Sequence, residues 1–185
     1  MLENLYKDAE QRMAKALEAT RNEFSAIRTG RASPGLLDRL QVESYGQMMP
    51  LKSVAQIGTP DGRTLMITAY DKAGVPAIRK AIEASDLGLT PNVDGTTIRL
   101  SIPALTEERR KELVKLVRKK AEDGKVAVRN IRHKVVDEVK ALLKDHKITE
   151  DENKRAGDHV QKLTDKFIHD VDALVVHKEK EIMEV

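Results

Sequence analysis

Eight residues at the start of the chain, Leu2, Tyr6, Ala9, Met13, Leu17, Thr20, Phe24 and Ile27, follow one another at steps of three or four. That spacing keeps them on one face of an α-helix. Two further stripes of the same kind occur, but only after a long interval. Val117, Ala121, Gly124, Val128, Ile131, Val135, Val139 and Leu142 form one, and Ala156, Val160, Leu163, Phe167, Val171 and Leu174 the other. Three near-heptad stripes hide from water together when their helices pack side by side, so the pattern predicts an elongated three-helix bundle.

Local signals set the helix ends. The first helix is expected over 3–29, with Gly30 suited to its C-terminus. The second opens after Pro103, with Thr106 as N-cap and Glu107 and Glu108 in the dipole-favoured first turn, and runs to about Lys144. The third begins at Thr149, where Glu152 completes a capping-box signature. Helices of roughly 27, 38 and 33 residues, at about 1.5 Å per residue, make rods of roughly 40 to 57 Å. The short "DHKIT" link makes the second and third antiparallel.

The interval between the first two stripes has another composition. Residues 31–105 hold 8 Lys/Arg and 7 Asp/Glu, whereas the other 110 residues hold 25 and 23. Strand-like runs occur at 39–44, 53–57, 64–70 and 97–102, with turn dipeptides Asp61-Gly62 and Asp94-Gly95 and helical spacing at 75–86. The expectation is an α+β chain: a discontinuous bundle, 1–30 with 105–185, and a small inserted α/β domain at 31–104. Two chain crossings tether the insertion, near Gly30 and near Ala104, and such a pair is a candidate hinge.

Composition excludes several functions. There is no Cys, hence no disulfide or thiolate metal site. Aromatic residues are 3% of the chain, with no Trp, which argues against a base-stacking platform. The N-terminus "MLENLYKDAEQRMAK" carries Glu3, Asp8 and Glu10 and lacks the apolar core of a signal peptide. No run approaches the roughly 18 apolar residues of a membrane span. A soluble cytoplasmic protein without a membrane partner is expected. The five histidines, His133, His146, His159, His169 and His177, show no metal-binding spacing. "GTPDGRT" lacks the lysine and spacing of a phosphate loop and reads as a hairpin turn. Asp38 and Glu43 have nothing that pairs them in a pocket. No catalytic residue, metal or cofactor is expected, and the chain is not read as an enzyme.

One feature of the second helix is unusual for a solvated surface. "VRNIRHK" (128–134) gathers basic side chains with no acid among them. On a wheel of about 100° per residue, Arg132 lies about 60° from the apolar direction, Lys125 about 80°, Arg118 about 100°, and Arg129 and Lys111 about 120°. Asp123, Glu138, Asp145 and Glu112 occupy the other flank, interrupted by Lys134. The basic row covers roughly 30 Å. Two explanations stand: salt bridges to acids on a neighbouring helix, or a face for phosphates. Arginines with few aromatics suit structured RNA, contacted through backbone and shape.

Five strings, "FSAIRTGRASPGLLD" (24–38), "VESYG" (42–46), "DLGLTPNVDGTTIRLSIPALTEERRKEL" (86–113), "KVAVRNIRHK" (125–134) and "VQKLTDK" (160–166), together resemble the ribosome recycling factor family from end to end. The resemblance implies an L-shaped molecule like a transfer RNA. It also implies a monomer that binds the 70S ribosome and its 50S subunit after termination. With elongation factor G and GTP, such a factor separates the subunits and frees messenger and transfer RNA. It implies no catalysis by the factor itself. The family's contacts with 23S ribosomal RNA fall on Arg110, Arg129 and Arg132, with Lys125 and Arg118 added by the wheel. The hinge falls on Thr29, Gly30 and Arg31 and on Pro103, Ala104, Leu105 and Thr106. Many members have a second arginine where this chain has His133, and an exposed histidine carries less charge at neutral pH. The alternative reading is a structural coiled-coil adapter that binds acidic protein helices.

Overall fold

The computed structural model describes residues 1–184, which divide into two compact units, Met1–Arg28 with Thr106–Glu184 and Thr29–Leu105. The first unit holds three long helices, α1 (Leu2–Ser25), α4 (Glu107–Lys144) and α5 (Glu150–Met183). Their stripes meet as the spacing dictates. Ala9 packs with Val135, Val139, Ala156 and Val160, and further along Met13 packs with Val128 and Phe167. The polar members are satisfied locally: buried Thr164 and Thr20 each donate to the carbonyl four residues back, at 2.8 and 3.0 Å. On α1 and α5, the rings of Tyr6 and His159 stack with centroids 4.0 Å apart.

Both long-helix starts are capped as expected. Thr106 accepts from the Arg109 N–H at 3.1 Å. At α5 the capping box is complete: Thr149 accepts from the Glu152 N–H at 3.1 Å, and Glu152 accepts from the Thr149 N–H at 2.8 Å. One end differs from expectation. Helix α1 stops at Ser25, four residues short of 29. The Ile27 N–H turns back to the Phe24 carbonyl at 3.1 Å, so Ile27 is buried although it lies outside the helix. Gly30 therefore caps no helix; its φ of 76° serves the chain crossing that follows. At the end of α4 no glycine is present, and His146 takes the left-handed conformation, φ 55°. Its N–H bonds the Leu143 carbonyl and the Lys147 N–H bonds that of Leu142, closing the last turn.

The second unit contains a hairpin, β1 (Gln41–Ser44) with β2 (Gln47–Pro50), a single helical turn α2 (Leu51–Val54), and a four-stranded antiparallel sheet. The sheet runs β3-β4-β6-β5, from β3 (Ala55–Asp61), β4 (Thr64–Ala69), β5 (Pro91–Asp94) and β6 (Thr97–Ser101). Helix α3 (Val75–Ala84) packs Val75, Ile78 and Ile82 against Leu65, Ile67, Ile98 and Leu100. Strand alternation is regular: Leu65, Ile67 and Ala69 of β4 are buried and their neighbours are not. The "GTPDGRT" segment forms the β3–β4 hairpin.

The expected strand at 53–57 begins only at Ala55, because 51–54 form a helical turn after Pro50. The expected strand at 39–44 begins at Gln41. Strands β2 and β5 were not expected: "QMMP" and "PNVD" lack β-branched alternation and are recruited by their partners across tight turns. The Tyr45-Gly46 turn puts Tyr45 at φ 50°, and its hydroxyl donates to Asp71 at 2.8 Å.

Candidate nucleic-acid interface

Within the bundle, α4 carries every member of the basic row, and the apolar stripe fixes which way it faces. Val117, Ala121, Val128 and Val135 are buried, so the flanking arginines and lysines emerge at the edge of α4 beside α5. Four of them meet different partners. Arg118 Nε donates to Glu179 Oε1 at 2.7 Å, and Lys125 Nζ to Asp172 Oδ1 at 2.5 Å, both on α5. Its hydrogen bond to the Glu179 carboxylate, and then the charge of that carboxylate, hold the Arg118 guanidinium further into its protonated form. Arg129 Nη1 reaches back along its own helix to Glu122 Oε1 at 3.0 Å. Arg132 Nη1 meets a neutral group, Gln161 Oε1, at 3.4 Å.

The row is therefore of two kinds. Arg118 and Lys125 form interhelical salt bridges, which is the first of the two explanations open to the sequence. Each pair keeps one member well exposed, and pairs that water reaches contribute about 1 kcal/mol or less, so they guide α4 against α5 more than they stabilise it. Among the described residues no carboxylate lies within ion-pair distance of Arg132. Its charge is the least offset of the row. Lys111 pairs with Glu107 at 3.5 Å. Arg110, half-buried, sits in the first turn, its N–H on the Thr106 carbonyl at 3.0 Å. His133 is exposed on the far side of the stripe.

Sequence reasoning missed the α5 acids, although a signal was present. Asp165, Asp172 and Glu179 step by seven, as do Arg118, Lys125 and Arg132. Two antiparallel helices with matched heptads of opposite charge meet rung by rung. Among the described residues no cluster of three His, Asp or Glu side chains could hold a metal ion. No helix among them is long and apolar enough to cross a membrane.

The hinge candidates lie where the two units divide. Thr29 is buried, and Gly30 has a backbone only glycine adopts without strain. A Cβ there would lie 3.0 Å from Leu105 Cγ, so the two chain crossings touch at this point. Pro103 and Ala104 are exposed and Thr106 already caps α4.

Comparison with known proteins gives one answer. A family model described as ribosome recycling factor matches residues 20–183. The ribosome-recycling factor of Symbiobacterium thermophilum is 55% identical over 185 residues, all of both chains. That of Thermosynechococcus vestitus is 54% identical over 178 residues, 96% of this chain and 98% of the relative. A solution structure of a ribosome recycling factor superposes with a TM-score of 0.77 at 44% identity, covering 100% of this chain and 98% of that one. A second structure concerns the T. thermophilus ribosome recycling factor and the E. coli elongation factor G bound to the E. coli post-termination complex. Its matching chain has a TM-score of 0.64 at 46% identity, with 99% of each chain covered.

Proposed function

The chain belongs to the ribosome recycling factor family, and from that premise we propose that it binds the post-termination ribosome and, with elongation factor G and GTP, parts the subunits and releases messenger and transfer RNA. The observation that carries this reading is end-to-end similarity to such factors, among them one in a structure with elongation factor G on a post-termination complex. The factor acts by binding and transmitting force, in the compartment where its ribosomes work. GTP hydrolysis belongs to the partner.

The docking face is the α4 row. Arg132 and Arg129 are its centre on large-subunit RNA, Arg110 contributes from the first turn, and Arg118 and Lys125 support its flank. A guanidinium suits phosphate because its donors form a planar fork. The long packed helices supply stiffness, and the crossings at 29–31 and 103–106 supply the hinge. Gly30→Ala, strained at positive φ and pressed on Leu105, is expected to impair subunit splitting more than 50S binding.

Co-sedimentation of the purified protein with 50S subunits across a salt series tests the docking face. Arg132→Ala should weaken binding by about tenfold or more, the scale of a lost charged hydrogen bond. It should also make the slope of log K against log salt shallower by about 0.7 to 0.9. Unchanged affinity and slope would remove Arg132 from the RNA face.

A further inference from the structure

Arg118 pairs with Glu179 and Lys125 with Asp172. Each acid is seven residues earlier as each base is seven later, the register of two antiparallel helices. The next rung sets Arg132 opposite Asp165, and that ion pair does not form. Asp165 Oδ1 accepts from Gln161 Nε2 at 2.9 Å, and Gln161 turns its Oε1 to Arg132 Nη1 at 3.4 Å. A neutral amide has been spliced into the charged rung.

The splice has a physical consequence. An arginine paired with a carboxylate must give up that partner, or share it, before it can bind a phosphate, and part of the gain is lost. An amide oxygen offers a hydrogen bond without opposing charge. Donation from Gln161 to the Asp165 carboxylate polarises the amide and strengthens its oxygen as an acceptor. The bond engages one donor of a guanidinium that has five, leaving the others to meet a ligand in a fixed orientation.

We propose that Gln161, held by Asp165, is a positioning residue that orients Arg132 without neutralising it, so that the ribosomal RNA phosphate is the first anion the guanidinium binds. The proposal depends on the reading that Arg132 faces large-subunit RNA. It predicts a division of labour along one row: direct carboxylate rungs at Arg118 and Lys125 guide α4 against α5, and the amide rung presents the binding charge.

The test is 50S binding over a salt series by wild type, Arg132→Ala, Gln161→Glu and the double variant, with Gln11→Glu as a control for one added negative charge on an exposed α1 site. Gln161→Glu restores a carboxylate beside Arg132. It should weaken binding by about tenfold and make the salt slope shallower by about 0.7 to 0.9, a change that altered folding alone would not produce. The double variant should bind no more weakly than Arg132→Ala, and Gln11→Glu should stay near wild type. If Arg132→Ala weakens binding but Gln161→Glu does not, the positioning role is overturned and the RNA face stands. The positioning role is equally overturned if Gln161→Glu weakens the Arg132→Ala chain as much as it weakens wild type. Wild-type binding by Arg132→Ala overturns both.

Discussion

Gly124 lies in the middle of α4, where an alanine would ordinarily favour a helix by about 0.8 to 1 kcal/mol. The structure predicts the opposite outcome here. A Cβ on Gly124 would fall onto Thr20 Oγ1 of α1, with Thr20 Cβ and Cγ2 both at 3.4 Å. Thr20 is buried, and its hydroxyl is tied to the Ala16 carbonyl at 3.0 Å. Exchanging the two branches brings the methyl group into the same space. Turning both away requires a rotamer that helices disfavour. The two helices must then separate slightly, and overpacking of this kind costs about 1 to 3 kcal/mol. Set against the propensity gain, Gly124→Ala should destabilise the bundle by about 1 kcal/mol, lowering the melting temperature by about 2 to 4 °C for a chain of this size. In a Thr20→Ala background the obstructing atoms are gone and the two Cβ atoms sit at ordinary contact. There the same substitution should stabilise by up to about 1 kcal/mol. A double-mutant cycle by urea unfolding, followed by far-UV circular dichroism, should give a coupling of about 2 kcal/mol between the sites. Additive effects, or a stabilised Gly124→Ala single variant, would refute the close-approach argument.

Other expectations test the helix ends and one acid. Thr149→Ala removes half of the capping box and should cost about 1 kcal/mol in urea unfolding. His146→Gly should stabilise by about 0.5 to 1 kcal/mol, because it relieves a side chain at positive φ at the end of α4; a loss of stability would contradict that. Asp61 accepts from the Arg63 N–H at 2.8 Å, and this bond chiefly holds its carboxyl below the ordinary aspartate range. Its contribution is therefore present above that range and is lost as pH falls through the lowered native value. Wild type and Asp61→Asn should differ in stability at neutral pH and converge in acid; a gap that widened in acid would reverse the assignment.

Much of the bundle could be read from the chain because helix signals are local. Apolar spacing, Thr106, and the Thr149 and Glu152 box each act within a few residues of themselves. The end of α1 at Ser25 departs from the stripe's spacing for a complementary reason. Ile27 continues the stripe by spacing, but it reaches the core from a tightened turn rather than from helix. The sheet was half legible. Strands β4 and β6 alternate, whereas β2 and β5 owe their extended form to partners across a turn, and no property of four residues alone announces that.

The candidate site divides along the same line. The sequence by itself determined that α4 has a basic edge, since sidedness follows from 3.6 residues per turn. It also determined that Gly124 and Thr20 lie on core stripes. Only the tertiary structure decided that these two meet, that Arg118 and Lys125 end on α5 carboxylates, and that Arg132 ends on an amide. Periodicity fixes the direction in which a side chain leaves its own helix. Which atom it finds there depends on the axial register and separation of two helices, set by packing along their whole length.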